Sequence, residues 1–107
     1  MTEKVMNPYQ DERLSPEERA KDLVSRMTVE EKTQQLTCMM VTGSPDEEQF
    51  KDGIGEAILF LGPVSAEDTA NAVRKLQDAV MKKSRFRIPA LIHAEALSGP
   101  MIGDCVV

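Results

Sequence analysis

The residues best suited to chemistry fall in Ile88-Pro89-Ala90-Leu91-Ile92-His93-Ala94-Glu95-Ala96-Leu97-Ser98-Gly99. A short apolar run ends in His93, the chain's only histidine, then in the carboxylate of Glu95, and then in a Gly-Pro turn. A buried barrel strand delivers a polar residue to an active-site face in this way. His93-Ala94-Glu95 also fits the H-x-E pattern of zinc deaminases, in which the histidine binds zinc and the glutamate shuttles protons. That site needs a downstream P-C-x-x-C, whereas Cys105 stands alone, so His93 reads instead as a strand-end histidine in an ordinary hydrogen bond. Cys38 or Cys105 with His93 has the residue types of a nucleophile and base, but nothing in the spacing orients such a pair. The two cysteines are far apart and in no metal-type spacing, and they read as buried thiols. Asp46-Glu47-Glu48 is acidic, but three adjacent acids rarely converge on one ion, and they read as a solvated loop. No metal site is expected.

The elements that must position these residues follow from capping and periodicity. Residues 1–14 are polar and aperiodic, an extended lead-in. Ser15-Pro16-Glu17-Glu18 is a capping box with proline at the first helical position, and Ala20, Leu23, Val24 and Met27 then make one apolar stripe. Arg19, Lys21 and Arg26 fall outside the stripe and read as solvated. Thr28-Val29-Glu30-Glu31 repeats the pattern and predicts a second helix from about Val29 to about Cys38, burying Val29, Leu36, Met39 and Met40. Val41 to Asp52 reads as a loop. Gly53-Ile54-Gly55 leads into Ala57-Ile58-Leu59-Phe60-Leu61, an unbroken run suited to a strand buried on both faces. The glycines precede this strand, which is the wrong order for a dinucleotide-binding loop. Ser65-Ala66-Glu67-Asp68 starts a third helix with a stripe of Ala66, Ala70, Val73, Leu76 and Val80, closed by Lys82-Lys83-Ser84-Arg85. Ile88 to Ile92 is then a second buried strand. Strand, helix, strand with short links predicts a parallel βαβ unit, which builds either an open α/β sheet or a (β/α) barrel.

Composition narrows the classes. The chain of 107 residues has a formal net charge of −5, against nucleic acid and against an anionic membrane surface. No run approaches the ~20 apolar residues of a membrane span. Met1-Thr2-Glu3-Lys4 has no apolar signal core, so the chain reads as cytoplasmic, and a disulfide is not expected there. Aromatic residues make up 4% with no tryptophan, against an autonomous sugar-binding module, which stacks sugars on flat rings.

Four motifs, in order and at natural spacing, resemble glycoside hydrolase family 3. Arg26-Met27-Thr28-Val29-Glu30-Glu31-Lys32 followed by Gln35-Leu36 resembles that family's opening helix. Gly53-Ile54-Gly55 is similar to the approach to its first strand, Asn71 and Gln77 fit its next helix, and Ile88-Pro89 with His93-Ala94-Glu95-Ala96-Leu97-Ser98-Gly99 resembles its second-strand motif. The resemblance covers about residues 9–107, and the most similar branch holds bacterial β-glucosidases and β-xylosidases. Ala94 departs from the pattern where many members carry a second acid, and the Gly99–Cys105 segment departs from the commoner loop.

The resemblance implies an α/β fold, the N-terminal portion of a (β/α)8 TIM-type barrel, with residues 15–107 as its first part. It implies retaining hydrolysis of terminal β-linked glucose or xylose without metal or organic cofactor. Such chemistry takes two carboxyl groups about 5 Å apart. The family's nucleophile and acid/base match no position here, Asp104 included, so no catalytic residue is assigned and the chain alone is expected to be inactive. Glu95 matches the carboxylate that binds sugar hydroxyls, and a carboxylate accepts well from such donors. His93 is expected to line the same pocket. The expected partners are a carbohydrate substrate and, because two strands cannot close a barrel, either the rest of the barrel or further copies of the chain. The alternative is a non-catalytic oligomeric interaction domain derived from the family.

Overall fold

The computed structural model describes residues 6–62 and 64–95; the expectations placed on Ala96-Leu97-Ser98-Gly99, Asp104 and Cys105 lie outside them. Both predicted capping boxes form. The Ser15 Oγ accepts from the Glu18 backbone N–H at 3.3 Å while the Glu18 carboxylate accepts from the Ser15 N–H at 2.9 Å, opening α1 at Pro16–Arg26. Thr28 and Glu31 make the same exchange at 3.2 and 2.8 Å and open α2 at Val29–Gln35. Each box satisfies donors that a helix start would otherwise leave unpaired.

A third strand is present where helix and loop were expected. The chain leaves α2 at Gln35 and forms β1, Cys38–Thr42, which pairs in parallel with β2, Glu56–Phe60. The helical reading of Leu36, Met39 and Met40 has a physical reason: their spacing also satisfies a strand in which Met39 and Val41 face one way and Cys38, Met40 and Thr42 the other. Val29, Leu36 and Met40, expected to be buried, are 73%, 92% and 64% exposed. The α1 stripe is half right, since Leu23 and Met27 are half-buried while Ala20 and Val24 are exposed. Nor is Arg19 simply solvated: its Nε donates to the Tyr9 carbonyl at 2.9 Å, and the Tyr9 N–H donates to Asp22 at 3.1 Å, docking part of the lead-in onto α1. Arg26 is held by Asp22 at 2.9 Å.

α3, Ala66–Lys83, follows β2, and β3, Leu91–His93, pairs in parallel with β2 to complete a sheet of order β1-β2-β3. β3 starts later than expected. Pro89 has no N–H to give, and the Ala90 N–H and carbonyl are both taken by the Gln77 side chain, at 2.9 and 2.7 Å. The ladder begins when the Leu91 N–H reaches the Gly55 carbonyl at 2.9 Å.

The core lies between α3 and one face of the sheet. Leu76, Ala79 and Val80 of α3 meet Val41, Phe50, Ile54, Ala57 and Ala90, with Met39, Leu59 and Ile92 packed against them. Gly55 is required here: a Cβ would lie 2.0 Å from the Gln35 carbonyl oxygen. The strands are therefore not buried on both faces. Met40, Phe60 and Leu91 on the opposite face are 64%, 44% and 71% exposed. The fold is α/β with a parallel sheet, and among the described residues no helix is long and apolar enough to cross a membrane.

Candidate functional site

Two neighbouring groups of polar residues sit at the sheet. The first is the strand-end cleft that the sequence pointed to. Its volume is about 180 Å³, and Phe60, Leu61 and Gly62 at the end of β2, Thr69 and Val73 of α3, and His93 and Glu95 at the end of β3 line it. Both sequence-predicted site residues thus border one cavity, and both are exposed. The walls are mostly apolar, and the Glu95 carboxylate is a charged hydrogen-bond acceptor among the described lining residues.

The second group contains the Cys38–His93 pair that nothing in the sequence spacing oriented; strand pairing brings the two together and adds Glu56. β1 and β2 place Cys38 directly opposite Glu56, and β2 and β3 place Ile58 opposite His93. Alternation along the strands turns Cys38, Glu56 and His93 to the same, open face. The Cys38 Sγ lies 3.5 Å from the His93 Nε2, and a Glu56 carboxylate oxygen lies 3.7 Å from that same nitrogen. The side chains of His93 and Glu56 are 45% and 52% exposed. Cys38 is exposed as well, contrary to its reading as a buried thiol. His93 therefore has a sulfur neighbour, and its nearest described carboxylate partner is Glu56 rather than Glu95, two residues along the chain. The signal that could have found this group was the period-2 pattern: a polar residue leads each of two apolar runs, Cys38 before Met39-Met40-Val41 and Glu56 before Ala57-Ile58-Leu59.

Other motif residues turn out to hold the frame rather than a ligand. The Glu31 carboxylate accepts from the Arg85 Nε and Nη2 at 3.0 and 2.7 Å, and this guanidinium holds its carboxyl below the usual carboxylate range. The pair ties α2 to the segment after α3. Gln77 clamps the entry to β3, and Asn71 accepts from Arg74 at 2.8 Å on the helix surface. Asp46 caps a short 3-10 turn, Glu47–Phe50, in which Glu47 pairs with Lys82 at 2.9 Å and Glu48 with Lys83. No protein-family model matches this chain, and no curated protein matches it.

Proposed function

We propose that the chain is the first part of a retaining β-glycosidase of the glycoside hydrolase family 3 type, acting on terminal β-linked glucose or xylose. In this reading β2, α3 and β3 are a repeat of a (β/α)8 barrel, with β1 beside β2 across a 3-10 turn rather than an α-helix, and Glu95 accepts hydrogen bonds from hydroxyls of the terminal sugar, with His93 beside it in the same cleft. The observation that carries it is the pairing of a strand-end carboxylate with a one-sided sheet. The strands run parallel in sequence order, β1-β2-β3, and among the described residues the face away from α3 carries the exposed Met40, Phe60 and Leu91. Barrel strands follow that order, turn one face inward and carry their sites at their C-terminal ends, whereas open parallel sheets are covered by helices on both sides. A barrel takes about 250 residues, and the nucleophile and acid/base would come from its later strands and loops.

The test begins with the reading frame beyond the Val107 codon. A continuation with Phe-Pro and, further on, a strand-end Asp supports the reading, and a stop codon there overturns it. In the enzyme encoded by the continued frame, Glu95→Gln should lower kcat/KM for an aryl β-glucoside or β-xyloside by about 10–100-fold, the worth of one or two hydrogen bonds to a charged group. The 107-residue chain by itself should show no turnover. Saturable turnover by that chain, abolished by Glu95→Ala, would contradict the assignment of the nucleophile elsewhere.

A second reading, a non-catalytic domain that assembles through its sheet, is favoured by the exposure of Met40, Phe60 and Leu91 on one face. It requires a concentration-dependent oligomer in sedimentation, and a monomer at high concentration removes it.

A further inference from the structure

We propose that Cys38, Glu56 and His93 form a binding site for a zinc ion on the open face of the sheet, a site that shares His93 with the cleft but that the glycosidase reading does not need. With Zn–S at about 2.3 Å and Zn–N and Zn–O at about 2.0–2.2 Å, a tetrahedral ion separates its ligand atoms by roughly 3.4–3.6 Å. The Cys38 Sγ and the Glu56 oxygen stand 3.5 and 3.7 Å from the His93 Nε2, and all three ligand atoms lie within 4.8 Å of one another. One ligand comes from each strand, so the sheet register and not a flexible loop sets the distances.

The pattern of contacts separates this site from a nucleophilic relay. A Cys–His–Glu relay puts the thiol on one ring nitrogen and the carboxylate on the other, so that the carboxylate orients the ring while the free nitrogen takes the thiol proton. Here sulfur and carboxylate both face Nε2. Three atoms that converge from three directions enclose a point between them, which is where a cation sits. One thiolate, one imidazole and one carboxylate suit Zn²⁺, whereas Mg²⁺ and Ca²⁺ take oxygen ligands. Three protein ligands leave the fourth position to water or an added ligand, and in the 107-residue chain the exposure of these side chains gives that position access to solvent. Binding sends the thiol proton to solvent as the thiolate forms.

The test uses the whole chain carrying Cys105→Ser, so that Cys38 is its one thiol. Titration with Co²⁺ should give a thiolate-to-metal charge-transfer absorption that saturates at one equivalent and is bleached by Zn²⁺. Cys38→Ser should abolish the band. His93→Ala and Glu56→Ala should each weaken Co²⁺ binding by at least ~100-fold, beyond what loss of an outer-shell partner costs. Met40→Ala, on the same face but outside the triad, should leave the affinity unchanged, and all variants should keep the parent's circular dichroism because these side chains are exposed. Absence of the band in the folded parent, or full affinity retained in His93→Ala and Glu56→Ala, would overturn the proposal. His93 borders both sites; Cys38→Ser and Glu56→Ala test the metal site alone and Glu95→Gln the sugar cleft alone, so the two readings fail separately.

Discussion

The two faces of the sheet are made by alternate residues of the same three strands, yet they end in opposite environments. On the α3 side, Val41 and Ala57 are 6% and 0% exposed and close against Leu76 and Val80. On the other side, Met40 and Leu91 are 64% and 71% exposed, and the polar residues Cys38, Glu56 and His93 stand among them. One residue of slip would exchange the two sets entirely. The covered face therefore fixes the register, and the register in turn fixes the triad on the open face. The core-forming residues lie on one side of the sheet and the exposed Cys38, Glu56 and His93 on the other.

The sharpest way to break this contrast is to shorten one leucine on each side. Leu76→Ala empties a fully buried position in the core and should cost about 2–5 kcal/mol. Leu91→Ala removes a side chain that already meets solvent and should change stability by less than about 0.5 kcal/mol. Urea unfolding measures both. Comparable losses would mean that the open face is covered in solution, and a dependence of the Leu91→Ala loss on protein concentration would identify a second copy as the cover.

A smaller but more local effect is expected at the start of β2. Gly55→Ala drives a methyl group to 2.0 Å from the Gln35 carbonyl oxygen, a backbone atom that cannot turn aside. The Gly55 N–H also donates to the Gln34 carbonyl at 2.9 Å, so strand and helix end cannot separate without losing that bond. The expected cost is about 1–3 kcal/mol. Because the displaced contact lies just before Glu56, the same substitution should loosen Co²⁺ binding at the triad while Leu91→Ala should not. Equal metal affinity in the two variants would show that the ligands do not depend on strand register.

The features legible in the sequence were those with local causes. Ser15-Pro16-Glu17-Glu18 and Thr28-Val29-Glu30-Glu31 announced their helices because a capping box is complete within four residues. Gly53-Ile54-Gly55 marked a real constraint, although its reason, a helix end pressed against the strand, lay outside the motif. β1 was hidden because Met39, Met40 and Val41 satisfy a helical and an alternating period alike. The triad was hidden for a different reason: Cys38 and His93 are 55 residues apart, and only strand pairing brings them together. His93 and Glu95 were visible because they close an apolar run, and the structure puts both on one cleft. The sugar that Glu95 is proposed to hold rests on the resemblance of the motif that contains it.

Two carboxylates extend the contrast between covered and open surroundings to charge. Glu56 is about half exposed, whereas the Glu31 side chain is 9% exposed and bound by Arg85. The Arg85 hydrogen bonds are the main reason that the Glu31 carboxyl sits below its ordinary value of 4.5, and the Thr28 backbone N–H adds to them. The folded state then binds its proton less readily than the unfolded chain. Between the two values the unfolded chain holds more protons, so stability rises with pH. The contribution of Glu31 is complete above the ordinary carboxylate value and is lost as pH falls through the depressed one. Glu31→Gln should accordingly destabilise the chain at neutral pH, and its deficit relative to the parent should shrink on acidification to about pH 3. Paired urea titrations at the two pH values measure the deficit. If it stays constant, the loss comes from the capping geometry at Thr28 rather than from the charge that Arg85 holds.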